Sequence, residues 1–162
     1  MQTLMDRNAG FTLVELMITI AIAAILVTVA VPGFQGFVLN NRMTGNANDM
    51  IATLGYARSE AVKRAADVTV CASNDGASCS GTWTAGWVVL DNADNVLRAQ
   101  EAPGGTTTLT GAGTIIFSAN GRMTTPAAAT TLTLCPGKDD IQGRQIVIEP
   151  TGRAGVVSAA CS

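Results

Sequence analysis

The chain has 162 residues and a mass of 16.6 kDa, the size of one ordinary domain. It contains no histidine, and its 12 acidic and 10 basic side chains give a net charge of −2. The lack of histidine removes the commonest general base and metal ligand, and the slight negative charge argues against bulk electrostatic capture of nucleic acid. We therefore expect a protein that is not an enzyme and that uses neither a cofactor nor a metal ion.

One apolar segment explains why only 14% of the residues are charged. Residues 11–31 read FTLVELMITIAIAAILVTVAV and contain a single charge, Glu15. As a helix, this segment would span roughly 31 Å, about the thickness of a bilayer core. An ordinary signal peptide and a buried core helix are the alternatives, but a signal peptide would be shorter and would end in a small-residue cleavage site. The pattern predicts a transmembrane helix over 11–31, with a helix kink at Pro32.

Glu15 needs a physical explanation because a carboxylate in hydrocarbon costs several kcal/mol unless it is paired or protonated. One alternative places this side chain in the headgroup region, four residues inside the apolar run. No basic residue lies within the span, and the nearest cation in the sequence is Arg7. A partner must then come from outside the helix, or from a positive charge that processing creates.

The residues around this charge resemble the N-terminus of a type IV pilin precursor. The segment Gly10-Phe11-Thr12-Leu13-Val14-Glu15 follows a short polar leader and precedes the apolar run. The resemblance implies that a prepilin peptidase removes the leader 1–10 by cutting between Gly10 and Phe11, and that Phe11 is then N-methylated. It also implies that Glu15 pairs with the new Phe11 amine of a neighbouring subunit inside the membrane. Met5 is an alternative start of translation.

The rest of the chain divides into a helical part and a β-rich part. Apolar residues at helical spacing predict an amphipathic extension of the helix over 32–66. They are Ala47, Met50, Ile51, Leu54, Ala57, Ala61 and Ala65. Eight short runs rich in Val, Ile and Thr follow, and they predict seven or eight antiparallel strands over 67–162. The runs are VTVCA, GWVVLD, NVLRAQ, TTTLT, TIIFSA, TLTLCP, RQIVIE and GVVSA. The expected fold is α+β and pilin-like, with a long N-terminal helix packed on an antiparallel sheet module.

All four cysteines follow the apolar segment: Cys71, Cys79, Cys135 and Cys161. Four cysteines allow three pairings, and proximity in the sequence favours Cys71 with Cys79 and Cys135 with Cys161. A zinc site is the competing interpretation, weakened by the lack of histidine and of a C-x-x-C motif. An even number of cysteines beyond a membrane span indicates the oxidising periplasm.

Segments along nearly the whole chain resemble the FimT/GspH-type minor pilins. They are YARSEAVKR, the VTVC and GWVVLD runs with Trp83, the Asn120-Gly121-Arg122 turn, LTLC and RQIVIEPTGRAG. That family contains minor pilins of type IV pili and the H-type minor pseudopilins of type II secretion, and the ARSEA stretch favours the FimT- or FimU-like pilus members. The resemblance implies a single-pass inner-membrane subunit with a periplasmic C-terminal domain. Such a subunit helps to initiate or cap the fibre beside other major and minor pilins, on an inner-membrane assembly platform.

DNA uptake is the alternative from another functional class. Some FimT-like members are linked to it through a basic tail of the type G-R-x-R. This chain has Gly152-Arg153-Ala154-Gly155, so the second arginine is missing, and Arg144 is a further candidate cation. Because nonspecific DNA affinity grows with the number of phosphate contacts, these two arginines give weak support. A turn residue is the alternative interpretation of Arg153.

The remaining polar and aromatic features predict structure more than chemistry. Ser59-Glu60 falls on the predicted helix with no base nearby, and Asp139-Asp140 is typical of a solvated turn. We expect Trp83 and Trp87 to be core or interface side chains of the β module, rather than an exposed recognition pair.

Overall fold

The computed structural model describes residues 10–111, 113–138 and 141–161, apart from the side chains of Val29, Pro32 and Gly33. Leader residues 1–9 and the turn predicted at Asp139-Asp140 lie outside the described residues. The described residues form one long helix and nine strands in two antiparallel sheets. The predicted α+β fold class is confirmed.

The helix and strands have the following bounds. Helix α1 spans Leu13–Arg64. The strands are β1 (Val68–Ala72), β2 (Gly86–Leu90), β3 (Val96–Glu101), β4 (Thr108–Gly111), β5 (Ile115–Phe117), β6 (Met123–Thr125), β7 (Thr130–Cys135), β8 (Gly143–Ile148) and β9 (Ala154–Ala159). One sheet has the order β3-β2-β1-β5-β6 and the other β4-β7-β8-β9. Neighbouring strands pair antiparallel throughout both sheets.

The contacts divide the chain into two compact units, Met1–Val38 and Leu39–Ser162, and the division falls within α1. Residues 32 and 33 are helical, so the helix continues through Pro32 into the predicted extension. The neighbouring turns continue the hydrogen-bonded ladder on both sides although proline lacks an N–H. The kink at Pro32 stays a prediction.

The second unit has its own core between the helix and the two sheets. The helix contributes a buried stripe of Met43, Ala47, Met50, Leu54, Ala57 and Ala61. Of the other stripe positions that the sequence predicts, Ile51 is half-buried and Ala65 is exposed. The sheets contribute fully buried side chains that include Val70, Phe117 and Ile146. The core of this unit therefore forms on the apolar face of α1.

The C-terminal end of the helix lies two residues before the predicted end at Ala66. Ala65 has φ of 50°, outside the helical region, and the Ala66 N–H bonds to the carbonyl oxygen of Ala61 at 3.2 Å. A left-handed residue with such a backward bond closes a helix and uses one of its last free carbonyl groups. The chain then turns into β1 at Val68.

Each of the eight predicted runs corresponds to a strand, and one further strand, β6, is present. This strand has three residues, Met123–Thr125, and Pro126 follows it directly. A run of three residues shows too little alternation to be recognised, and proline cannot donate to the ladder. The described part of the module has nine strands where seven or eight were expected.

Candidate assembly site

The peptide bond between Gly10 and Phe11 lies before the helix and is open to solvent. The Phe11 side chain is 79% exposed, and a Cβ atom placed on Gly10 would meet no atom within 4 Å. Helix α1 begins two residues later, at Leu13. An exposed, non-helical bond is the form of backbone that a peptidase can bind.

Thr12 and Glu15 form a reciprocal capping box at the start of α1. The Glu15 N–H donates to the Thr12 hydroxyl oxygen at 3.2 Å, and the Thr12 N–H donates to Glu15 Oε2 at 3.4 Å. The Thr12 hydroxyl group also donates to Glu15 Oε2, at 3.4 Å. This pairing satisfies N–H groups that a helix start leaves free. It holds the Glu15 carboxylate against Thr12, the residue that follows Phe11.

The capping box is a feature that the sequence reasoning missed. Its signal is the spacing of a threonine and a glutamate three residues apart directly before an apolar run, here Thr12 and Glu15. In the structure, the carboxylate has a partner within its own chain. The predicted pairing of Glu15 with the Phe11 amine of a neighbour stays a prediction, as do cleavage and methylation at Phe11.

The first unit presents an apolar surface. The exposed large side chains run from Leu13, 73% exposed, to Phe37, 63% exposed. They include Val14, Leu16, Met17, Ile18, Ile20, Ile22, Ile25, Leu26, Val27, Val31 and Phe34. A helix that is apolar on all sides needs a nonaqueous environment or protein partners.

In the part of the chain that the structure describes, no helix is long and apolar enough to cross a membrane. The transmembrane segment at 11–31 stays a prediction.

Arg144 and Arg153, the two candidate DNA-binding residues, lie at opposite ends of the β8–β9 hairpin. Arg144 is paired with Ser158 in the sheet, whereas Arg153 lies in the turn after Ile148. The four residue-to-residue steps from Arg144 to Ile148 cover about 13 Å of strand. The Arg144 guanidinium also donates to the Asn40 side-chain oxygen at 2.8 Å. The hairpin therefore does not gather these two cations into one patch.

Arg58, within the ARSEA stretch, bonds to one glycine turn and lies beside a second. Its Nε atom donates to the Gly121 carbonyl oxygen at 2.9 Å. A Cβ atom on Gly152 would come within 2.2 Å of that same oxygen and within 3.0 Å of Arg58 Nε. Both glycines have positive φ, 74° and 80°, a region that favours glycine. Gly152 of the supposed DNA-binding tail therefore has a structural role in this chain.

Glu60 belongs to an ionic cluster at the end of the helix. Arg64 Nε donates to Glu60 Oε2 at 2.8 Å, and Lys63 Nζ lies 3.3 Å from Oε1. The pKa of Glu60 is lowered mainly by the hydrogen bond from Arg64, while burial acts in the opposite direction and raises it. Arg64 Nη1 also lies 3.5 Å from Asp91 Oδ2. The neighbouring Ser59 hydroxyl donates to the Tyr56 carbonyl oxygen, so Ser59-Glu60 forms structural contacts.

The cysteines form two disulfide bonds, Cys71–Cys79 and Cys135–Cys161, the pairing that proximity in the sequence favours. No cysteine is free, so the zinc interpretation is wrong. The first bond closes the loop after β1. The second joins the end of β7 to the residues that follow β9.

Both tryptophans are buried, Trp83 at 4% and Trp87 at 2% exposure. The Trp87 indole N–H donates to the Thr53 hydroxyl oxygen at 3.2 Å, which connects β2 to the helix. Indole groups buried in this way pack the core and satisfy their polar atom at the same time. The tryptophans are therefore core side chains and do not form an exposed recognition pair.

Comparison with known proteins identifies the family. Residues 46–152 match the family described as Type II transport protein GspH, which covers more than half of the chain. The chain belongs to the GspH family. Residues 5–31 of this GspH-family chain also match the prokaryotic N-terminal methylation motif. The resemblance to the FimT/GspH pilins and pseudopilins is confirmed.

Proteins similar to this GspH-family chain include a fimbrial protein, a minor pilin and a minor pseudopilin. Fimbrial protein Q of Moraxella bovis is 29% identical over 129 residues, which are 80% of each chain. The type IV minor pilin FimU of Pseudomonas aeruginosa is 28% identical, with a TM-score of 0.61 over 75% of this chain and 92% of FimU. The minor pseudopilin EpsH of the Vibrio cholerae type 2 secretion system is 14% identical, with a TM-score of 0.54 over 72% of this chain and 97% of EpsH, and shows the shared fold alone.

These findings assign the chain to a class of structural subunits. Members of the pilin and pseudopilin family assemble with one another, and the N-terminal methylation motif belongs to membrane-anchored fibre subunits. These findings confirm the prediction that the chain is a minor pilin or pseudopilin.

Proposed function

We propose that this GspH-family chain is a minor pilin of a type IV pilus that helps to initiate or cap the fibre. A prepilin peptidase cuts it between Gly10 and Phe11, and Phe11 is methylated. The apolar segment 11–31 holds the subunit in the inner membrane in a single pass, with residues 67–162 in the periplasm. From there the subunit enters the fibre beside other major and minor pilins, on the inner-membrane platform.

The observation that carries this proposal is the exposed apolar surface of the first unit. Large aliphatic side chains such as Leu13, Ile18 and Ile25 are more than half exposed, while the second unit completes its own core. Exposed apolar area of this extent is costly in water, at about 25 cal/mol per Å². A lipid environment before assembly and neighbouring helices after it would remove that cost.

The proposed charge pair gives Glu15 a role in this transition. Cleavage creates a cationic amine at Phe11, next to the residue that Glu15 caps. Two opposite charges that are each expensive in an apolar environment become less so together. Pairing between subunits would favour docking and set the register between neighbouring helices.

The likeness to FimU supports the pilus over the secretion machine. FimU, a type IV minor pilin, shares 28% identity with this chain, and the pseudopilin EpsH shares 14%. The geometry does not favour the DNA-binding alternative, because Arg144 bonds to Asn40 and Arg153 lies at the far end of the hairpin.

A deletion strain distinguishes the two machines. We expect deletion of the gene to reduce the number of surface pili and to leave type II secretion of a reporter enzyme unchanged, with restoration by the intact gene. Normal piliation together with lost secretion would show that the chain is a pseudopilin instead.

A further inference from the structure

Strand β9 forms an unprotected edge of the four-stranded sheet. Within the described residues it pairs with β8 alone, in the register from Ala154 opposite Ile148 to Ala159 opposite Gly143. An edge strand carries a row of backbone N–H and C=O groups without partners, and proteins usually protect it with charges, prolines or covering side chains. The sequence of β9, AGVVSA, has neither a charge nor a proline.

The other three sheet edges have such protection. On β4, the Thr84 hydroxyl group accepts from the Leu109 N–H and donates to the Leu109 carbonyl, both at 3.0 Å. Strand β3 carries Arg98 and Glu101. Strand β6 has only three residues and is followed by Pro126. Among the sheet edges that the described residues form, β9 alone therefore lacks such protection.

Both faces of β9 leave a valine incompletely covered. Val156 lies opposite Ile146, which is fully buried, yet Val156 is 38% exposed. Val157 points to the other face, beside Gln145, and is 48% exposed. Directly paired residues share a face, so the apolar core face of the sheet continues past its last strand. One further strand would cover both side chains.

Both ends of β9 are fixed by the fold. At its start, the Glu149 N–H donates to the Arg153 carbonyl oxygen at 2.8 Å, which closes the turn. Beyond its other end, Cys161 is joined to Cys135 of β7. An edge that is already held extended loses little conformational entropy when a partner pairs with it.

We propose that β9 is a docking edge for an extended, uncharged segment of a different subunit in the same fibre, which adds a fifth strand to this sheet. The partner has to be extended because a helix has already used its backbone groups, and only an extended chain can pair with a free row of N–H and C=O groups. The partner is uncharged because the six residues of β9 include no charge that could pair with a charge buried on docking. This inference rests on the proposed function.

Photocrosslinking in assembled fibres tests the docking edge. Val157 of the full chain is replaced by the photoreactive residue p-benzoylphenylalanine, and Thr110 on the protected β4 edge is replaced likewise as the control. After irradiation, the sheared fibres are digested and the crosslinked peptides are identified by mass spectrometry. We expect the probe at 157 to crosslink to an uncharged, extended segment of another fibre subunit, and the probe at 110 to give no such product.

The second measurement is the incorporation into fibres of variants that carry a charge on a sheet edge. Val157→Lys should lower incorporation into fibres about tenfold, which corresponds to about 1.4 kcal/mol. Thr110→Lys should leave incorporation unchanged, and both variants should have wild-type urea midpoints. Crosslinks from 157 only to helices, only to a second copy of this chain, or to nothing in fibres that contain the chain would overturn the docking edge. Absence of the unmodified chain from fibres would instead overturn the proposed function.

Discussion

Thr12 and Glu15 cap each other across the first turn of α1, with the Glu15 N–H 3.2 Å from the Thr12 hydroxyl oxygen and the Thr12 N–H 3.4 Å from the Glu15 carboxylate. The glutamate thus has a structural role that is independent of its charge. A glutamine at the same position also completes a capping box. The two roles of Glu15 can therefore be separated by one substitution.

Glu15→Gln should keep the start of the helix and still lower incorporation into fibres by about tenfold or more, the loss expected when about 1.4 kcal/mol of pairing energy disappears. Glu15→Ala should lower it at least as far, because it removes the cap as well. The measurement is an immunoblot of sheared fibres against the membrane fraction. Wild-type incorporation of the glutamine variant would refute the charge-pair account of this residue.

Gly10→Phe should block removal of the leader. A bulky side chain at the exposed 10–11 bond would exclude the backbone from a peptidase site that accepts glycine, so the precursor should accumulate in the membrane at its full mass. Gly36→Ala, at another glycine whose Cβ would meet no atom within 4 Å, is the matched control and should be processed normally. Normal processing of the Gly10 variant would contradict the cleavage assignment.

Gly152→Ala should destabilise the second unit by about 1–3 kcal/mol, because φ is positive and the new Cβ would collide with the Gly121 carbonyl oxygen. Gly155→Ala, where the Cβ meets nothing within 4 Å, should change the unfolding free energy by less than about 0.5 kcal/mol. Urea denaturation of the fragment 39–162, which contains its own core and both disulfides, gives both values. Equal effects of the two substitutions would count against the turn geometry.

Protonation of Asp75 in acid should make the second unit less stable. N–H groups of Ala77 and Ser78 and the hydroxyl groups of Ser78 and Ser73 donate to its carboxylate and hold its pKa well below the ordinary 3.8, the backbone bond from Ala77 contributing most. A lowered folded-state pKa gives stability that is complete above the unfolded-state value and is lost as the pH falls through the folded-state value.

The wild-type unit should therefore lose unfolding free energy progressively below about pH 5, and Asp75→Asn should flatten that dependence. The measurement is a series of urea denaturation curves between neutral and acid pH. Asp67→Asn, at an exposed carboxylate outside this loop, is the control and should retain the wild-type slope. An unchanged slope in the Asp75 variant would show that these hydrogen bonds do not control the acid response.

Local patterns were sufficient to predict most of the fold. The VTVCA run coincides with β1, Val68–Ala72, because alternating β-branched residues between turn formers have one clear periodicity. The predicted helix stripe at Met50, Leu54 and Ala57 lies in the core for the same reason. The short strand β6 was missed because its neighbours, and not its own residues, determine it.

The contacts between distant segments could not be predicted in this way. Arg58 bonds to Gly121 across 63 positions, and no local period encodes such a contact. The ARSEA stretch resembles the family, but its sequence does not indicate that its arginine bonds to the Gly121 turn. Similarly, Arg144 and Arg153 are close in sequence, and only the hairpin register shows that they lie at its opposite ends.

Mass spectrometry of the chain recovered from sheared type IV pili tests whether it becomes a pilus subunit through cleavage before Phe11. We expect an N-terminal peptide that begins with Phe11 and carries one additional methyl group on its amine. A chain in the pili that still begins at Met1 or Met5, or that is cut at another bond, would contradict it.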